Sequence, residues 1–378
     1  MLKKVTFELL NDVMVGGIRI SDNVLESEDV ISGAVLRAGF SNDILLECLV
    51  SGILGPNGER NYIFEKDASG KCSECKNAEI CKAFSNMKFG FLYPQDCLPI
   101  AMTTKMCKAK GSEHGLYNIM LNQYIQCPEC GGRLENAKGL LDHKSASIYK
   151  VPKIETVHTA INYASRTAKE GSLFSINAIA KGEVYEGLVD DCDTSILEKG
   201  KIIYVGKYSS SGYGKLKIID IQPYEEEIYG ANLETRLRSV ASDNGREIFV
   251  LELLSDAKLG FQDDECQTIR KTKEYKEIWE KRILGEQEDK SIKLEKVVAQ
   301  NYVYRGYDTS KAKGEWLKDP VIMTRKGSVF KFSYQKEDYE EVYSVLKDME
   351  LNGIGEDCLN GYGQVGVCWN QGGEGLNG

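Results

Sequence analysis

The chain has 378 residues, 42% of them hydrophobic and 9% aromatic, a composition that builds packed cores and argues against a disordered chain. Its length exceeds one ordinary core and suits two domains, and no stretch approaches the roughly 20 apolar residues that span a membrane. The net charge of −9 argues against the broad basic footprint of a naked-duplex binder and leaves room for a local groove completed by neighbours.

The opening MLKKVTFELL has two lysines but no long apolar region or cleavage site, so it is expected to be a short alternating strand, not a signal peptide. KVTFELL leads through a glycine-containing turn into GAVLRAGFSNDILLECLV, where Val35, Leu36, Phe40, Ile44 and Leu45 share one helical face. GSLFSINAIA and GEVYEGLVDD alternate as strands, with Lys181-Gly182 as the turn between them. RKTKEYKEIWEKR and GEQEDKSIKLEK mix both charge signs and read as a solvated helix and connection. The second half runs from IFVLELL to VFKFSY. It continues into the helix EDYEEVYSVLKDMEL, with Val342, Val345, Leu346 and Met349 on one side, and ends on a glycine loop and the strand QVGVCW. Strand, helix, strand pair, helix, strand is the order of a ferredoxin-like or RRM-like domain, and the chain is expected to hold two of them.

Three blocks recur in order. Glu8-Leu9-Leu10-Asn11-Asp12 is echoed by Glu252-Leu253-Leu254-Ser255-Asp256, and Gly171-Ser172-Leu173-Phe174 by Gly327-Ser328-Val329-Phe330. Gly206, five residues, then Gly212-Tyr213-Gly214-Lys215 is echoed by Gly355, five residues, then Gly361-Tyr362-Gly363-Gln364. Duplication accounts for this order and spacing. Asp12 and Gly171 are more than twice as far apart as Asp256 and Gly327, and the cysteine-rich stretch lies in that surplus. The expected boundaries are residues 1–225 for the first domain, with an insertion over 57–145, and 226–378 for the second.

Seven of the 12 cysteines fall between Cys72 and Cys130 at metal-ligand spacings, which favours metal over disulfides. Cys127-Pro128-Glu129-Cys130-Gly131-Gly132 and Cys72-Ser73-Glu74-Cys75, with Cys81 further on, are C-x2-C turns suited to structural zinc. Two pairings fit. In one, Cys107, His114, Cys127 and Cys130 close one tetrahedron, and Cys72, Cys75 and Cys81 join Cys97 in a second. In the other, Cys72, Cys75, Cys127 and Cys130 share a single ion. A thiol redox role suits neither pair, since neither sits at a thioredoxin-like strand–helix junction.

The closely spaced glycines allow left-handed backbone and bring N–H groups close to an anion. Lys207 and Lys215 flank the first loop and suit phosphates, and Tyr213 or Tyr362 can stack on an unpaired base or pack beneath its loop. The second loop is acidic inside, with Glu356 and Asp357, so it suits a structural or protein-facing role.

The glycine loop and strand of Gly355 to Val367, with Ile354 between Gly353 and Gly355, resemble the loop that defines the RAMP superfamily of CRISPR proteins. Ser32-Gly33-Ala34-Val35-Leu36-Arg37 resembles that family's first-helix segment, with Ala38 where glycine is common. His158-Thr159-Ala160-Ile161, followed by Gly171-Ser172-Leu173-Phe174, is similar to its central hairpin. Phe91-Leu92-Tyr93-Pro94, Cys107-Lys108 and His114-Gly115 resemble type III-D members of the Csx-ten kind. The resemblance covers most of the chain, more strongly outside residues 225–320. It implies two fused RAMP domains with a zinc-binding insertion, holding the guide-RNA 5′ end within a cytoplasmic type III antiviral effector complex. Other effector subunits and target RNA are the further implied partners. It also implies RNA contacts at Arg37, Gly206, Lys207, Gly212, Tyr213, Gly214, Lys215, Gly355, Gly361, Tyr362 and Gly363.

Guide-processing relatives use a histidine near the first helix, whereas only three histidines occur here, the first being His114. Target-cutting relatives use an acidic residue after the first strand, where Asp22 and Asp29 stand. A zinc site closed by four protein ligands is structural. The expectation is a subunit with no catalytic residue; target-RNA cleavage by a loop aspartate, or a zinc-bearing interaction protein without RNA contact, are the alternatives.

Overall fold

The computed structural model describes residues 1–378 except 17, 22, 47, 49–71, 73–74, 121–123, 163, 226, 229–230, 244, 263–274, 286–290, 307–316 and 369–378. Two compact units emerge. The first comprises Met1–Gln95 and Val151–Tyr224; the second comprises Asp96–Lys150, Glu225–Asp308 and Gly314–Gly378. The segment Asp96–Lys150, which the sequence suggests is part of an insertion in the first half, thus goes with the second unit. No helix among the described residues is long and apolar enough to cross a membrane.

Each unit is built on the same four strands. In the first, Leu2–Leu9 lies between Lys215–Pro223 and Val184–Asp190, and Lys88–Phe89 flanks Val184–Asp190. In the second, Glu247–Leu253 lies between Val365–Val367 and Val329–Tyr334, with Lys293–Val298 beyond. Both are antiparallel sheets in ferredoxin-like order, so the chain is two fused α+β domains. Alternation explains the central strands: Val5, Phe7 and Leu9 are fully buried, and they meet Leu36, Phe40 and Ile44 of the helix Gly33–Leu46 in one core. In the second unit Val342, Leu346 and Met349 of the helix Tyr339–Asn352 cover Phe249, Leu251 and Phe332. The expected second helix of the first unit is missing: the described residues 191–201 form turns between Val184–Asp190 and Ile202–Tyr204.

The duplication is visible bond by bond, and it corrects one of the three blocks. Asp12 Oδ1 accepts from the Lys181 N–H at 2.9 Å, and Asp256 Oδ1 from the Lys326 N–H at 2.8 Å. The Gly182 N–H donates to Leu9 O and the Gly327 N–H to Leu253 O, both at 2.7 Å. Gly182, not Gly171, is therefore the counterpart of Gly327. Gly171 stands inside the strand Thr167–Ile179 of a long hairpin with Lys153–Asn162, whose counterpart is Asn301–Tyr304 with Val321–Thr324. The bridges Val13↔Ile179 and Ala257↔Thr324 anchor the two hairpins in the same way.

A buried ion pair locks the end of the second unit. Arg236 makes a two-point contact with Glu350, at 2.7 and 2.8 Å, and also donates to Val367 O; Glu350 in turn accepts from the Val367 N–H at 2.7 Å. Their side chains are only 5% and 8% exposed, so removing one strands the other's charge. Arg236→Ala is expected to lower the stability of this unit by about 3–5 kcal/mol. Denaturant unfolding followed through the tryptophans checks this, and an unchanged midpoint would count against it.

Candidate nucleic-acid interface and metal centre

The two glycine loops share one backbone. Tyr208 and Asp357 enter a short 3-10 turn in left-handed conformation, at φ +62° and +61°, and Gly212 and Gly361 leave it at +92° and +77°. The Val205 N–H donates to Gly214 O and the Ile354 N–H to Gly363 O, both at 2.9 Å. The Gly214 N–H donates to Asp12 O at 2.8 Å, and the Gly363 N–H to Asp256 O at 2.9 Å. A Cβ on Gly214 would stand 2.0 Å from Val205 O, and one on Gly363 1.9 Å from Ile354 O. These two glycines, like Gly206 and Gly355, are demanded by close backbone approach. Asn11 Nδ2 donates to Gly212 O at 2.6 Å and Ser255 Oγ to Gly361 O at 2.7 Å. Both residues belong to the first repeat block, which was the available signal for them.

The loops differ in charge. The Lys207 N–H donates to Met14 O and the Glu356 N–H to Lys258 O, each at 2.8 Å, so Lys207 and Glu356 are counterparts. Lys258 Nζ meets Glu356 at 2.6 Å and Asp357 at 3.7 Å, so one cation offsets part of the second loop's negative charge. These carboxylates raise the Lys258 pKa against a smaller opposing effect of burial. In the first loop Lys207 and Ser209, Ser210, Ser211 and Gly212 are exposed, and Lys215 is half-buried where the following strand begins.

Two of the residues expected at RNA, Arg37 and Tyr213, are engaged within the fold. Arg37 turns inward: it donates to Met87 O at 2.9 Å and Phe84 O at 2.7 Å, and its guanidinium stands 4.9 Å from the Phe84 ring centroid. It clasps the helix Ala78–Phe84 to its own helix, and those bonds leave it poorly placed for phosphate. Tyr213 is 7% exposed beneath its loop, packed with Met14, Ile176 and Ala178. Its hydroxyl meets Thr156 Oγ1 at 2.6 Å and His158 Nε2 at 3.1 Å, and His158 stacks on Phe174. That makes Tyr213 and His158 a latch between loop and hairpin instead of a stacking platform. Tyr362 is half-buried in the second loop.

Of the two loop acids, Asp22 lies outside the described residues. Asp29 is engaged by Lys153 at 2.8 Å, and Lys153 also meets Glu26 at 2.6 Å and Ser27 O at 2.8 Å. This ion-paired group was not legible in the sequence, where Lys153 stands far from both acids.

Cys107, His114, Cys127 and Cys130 come together with all four ligand atoms within 4.8 Å of one another. Cys107 ends the strand Thr104–Cys107, His114 lies on its partner Gly111–Asn118, and Cys127 and Cys130 form the turn that follows. The Cys107 and Cys130 sulfurs are 3.7 Å apart, and Cys127 Sγ is 3.5 Å from His114 Nδ1. The Gly131 N–H donates to Cys127 O and the Cys127 N–H to Gly132 O, both at 2.8 Å, which shapes the knuckle. Burial opposes ionisation of Cys107 and Cys127. Backbone amides of Lys110 and Ala109 around the first, and of Cys130 and Glu129 with His114 around the second, nevertheless hold both thiols below their usual value. Three sulfurs and an imidazole nitrogen at this spacing can hold a metal ion with no open position. Of the two pairings the sequence allowed, this is the one the fold assembles. Cys97, the suggested companion of Cys72, Cys75 and Cys81, is buried in the strand Cys97–Pro99 of the second unit, whereas those three belong to the first.

No family model and no curated protein sequence matches this chain. Among solved structures, a chain of the Type III-B Cmr-beta cryo-EM structure bound to cognate target RNA is similar, with a TM-score of 0.43 and 12% identity, over 92% of this chain and 94% of that one. A chain of Cmr-beta bound to cognate target RNA and AMPPnP gives a TM-score of 0.42 at 12% identity, over 91% and 93%.

Proposed function

We propose that this chain is a non-catalytic RNA-binding subunit of a type III CRISPR effector complex, of the type III-D kind. In this reading it acts in the cytoplasm and holds the 5′ end of guide RNA at its first glycine loop. The observation that carries the reading is the exchange of charge between two loops of identical backbone. The first offers Lys207, Lys215, three serine hydroxyls and a left-handed glycine, the groups that a sugar-phosphate backbone accepts. The second has Glu356 in place of Lys207 and binds it internally through Lys258, which suits contact with a neighbouring subunit. A net charge of −9 fits a groove completed by those neighbours. Target RNA reaches the chain through the guide. The Cys107, His114, Cys127 and Cys130 group takes zinc as a structural ion, because all four positions are filled by protein. Catalysis lies elsewhere in the complex: Asp29 is tied to Lys153, which leaves its carboxylate ill-suited to activate water or hold a catalytic metal.

The test is guide-RNA binding by reconstituted complex at two salt concentrations. Lys207→Ala with Lys215→Ala is expected to weaken retention and to flatten the salt dependence by about one unit of slope per lost contact. Glu356→Ala should leave both unchanged, since its loop carries no RNA. Equal losses in the two loops, or none in the first, would overturn the assignment. Asp22→Ala and Asp29→Ala should each leave every target-cleavage band in place, and a missing band in either would make the chain a nuclease.

A further inference from the structure

We propose that Tyr204 is the ring on which an unpaired base of the bound RNA stacks, beside the phosphates held by Lys207 and Lys215. The inference rests on the functional reading above and deepens it. It names what this surface recognises besides backbone charge: the flat face of a single-stranded base.

Strand register places the ring. Ile202–Tyr204 pairs antiparallel with Lys215–Lys217, with Tyr204 opposite Lys215 and Ile202 opposite Lys217. Direct partners project to the same side of a sheet, their Cβ atoms about 4.5–5.5 Å apart. Here that side faces solvent, because the alternate residues Ile203, Val205, Leu216 and Ile218 are buried in the core. Tyr204 is accordingly 50% exposed and Ile202 38%. Among the described residues no hydrogen bond, ion pair or ring contact engages the Tyr204 side chain, and Lys207 and Lys215 form no ion pair. Glu8 lies opposite Lys217 on the adjoining strand, which leaves Lys215 as the better-placed cation of this strand. An open ring beside uncompensated cations suits a base and its phosphate together.

The backbone under the ring is held from the other side. A Cβ on Gly39 would stand 2.8 Å from Tyr204 O, so the helix Gly33–Leu46 meets this strand backbone to backbone. The Val205 N–H is bonded to Gly214 O, which joins the strand to the glycine loop. A base therefore meets a platform whose backbone is already ordered, and less affinity is lost to ordering it.

The duplication supplies the comparison. Val205 and Ile354 are counterparts, since each donates its N–H to the last glycine of its loop. Gly353 thus stands where Tyr204 does, and Gln364 where Lys215 does. With Glu356 in place of Lys207, the second loop lacks the ring and both cations. The three features occur together in one copy and are absent together from the other, as expected of groups that serve one ligand.

The test uses complex reconstituted around the full-length chain, with guide RNA whose 5′-end nucleotides are replaced one at a time by an abasic residue. Tyr204→Leu keeps an apolar strand residue but removes the ring, and is expected to weaken retention of unmodified guide by about 5- to 150-fold. No charge is removed, so its salt dependence should stay unchanged, in contrast to Lys207→Ala with Lys215→Ala. Tyr204→Phe should bind as the unaltered chain does, which separates a lost ring from a disturbed fold. One abasic position should weaken the unaltered complex and add nothing to Tyr204→Leu, marking the stacked base. A loss in the lysine variant with none in Tyr204→Leu would overturn the stacking role and spare the loop assignment, whereas no loss in either would overturn both. Equal losses in Tyr204→Phe and Tyr204→Leu, or abasic penalties that Tyr204→Leu leaves unchanged, would also overturn it. Normal RNA retention with failure to join the other subunits would make this face a protein contact and overturn it as well.

Discussion

If Cys107, His114, Cys127 and Cys130 hold zinc as proposed, taking it away should unfold the segment around them while the first unit stays folded. The segment has little else to hold it. Its own core is small: Ile100, Ala137 and Leu141 meet Leu254, and Ala101 and Met120 meet Val250 and Val329. The strands are short, Thr104–Cys107 pairing Gly111–Asn118 and Leu134–Asn136. So few apolar residues do not offset the entropy of ordering the chain. Structural zinc supplies apparent binding free energies of about 10–16 kcal/mol at neutral pH. Cys127→Ser with Cys130→Ser is therefore expected to open the segment to proteolysis at Lys105, Lys108 and Arg133. A local loss of even ~3 kcal/mol raises the opened population about a hundredfold. Limited proteolysis with fragment masses checks this. Unchanged resistance in a zinc-free variant would mean that the short strands suffice.

Alanine at Gly214 or Gly363 should be far more damaging than at Gly212. All three have left-handed backbone, with φ of +79°, +70° and +92°, which costs an L-residue about 1–2 kcal/mol. For Gly212 that is the whole cost, since an added Cβ meets nothing within 4 Å. At Gly214 and Gly363 the Cβ would overlap a carbonyl oxygen that the backbone cannot move, because the Val205 and Ile354 amides are bonded back to the glycines themselves. The expected loss there exceeds ~3 kcal/mol and reaches the attached central strand through the bonds to Asp12 and Asp256. Chemical denaturation of the three variants checks the ranking. Similar losses at all three would mean that the loops relax freely. Weakened RNA retention in a Gly214 variant would consequently report a broken fold, which is why lysine substitutions are the proper probe of the interface.

Local signals determined a good deal. The alternation of KVTFELL and IFVLELL, the apolar faces of the helices Gly33–Leu46 and Tyr339–Asn352, and the matching glycine spacings were legible because each is set within a few residues. The C-x2-C turn of Cys127 and Cys130 marked a candidate metal-ligand pair for the same reason. What tertiary structure alone decided is which distant groups meet. The sequence aligned Gly171 with Gly327 on a shared tetrapeptide, but the backbone bonds to Leu9 and Leu253 pair Gly182 with Gly327. Arg37 looked like a free cation on a helix and is instead consumed by the carbonyls of Phe84 and Met87. Tyr213 could from sequence either stack on a base or pack beneath its loop, and the fold packs it there, bonded to Thr156 and His158 across the hairpin. The choice of Cys107 and His114 as partners of Cys127 and Cys130 rests on strand pairing, and the partial offset of the second loop's negative charge rests on Lys258, nearly a hundred residues from Glu356. Periodicity and spacing record what a residue's neighbours along the chain require. Ligand sets and ion pairs depend on sheet register and core packing, which only the folded chain establishes.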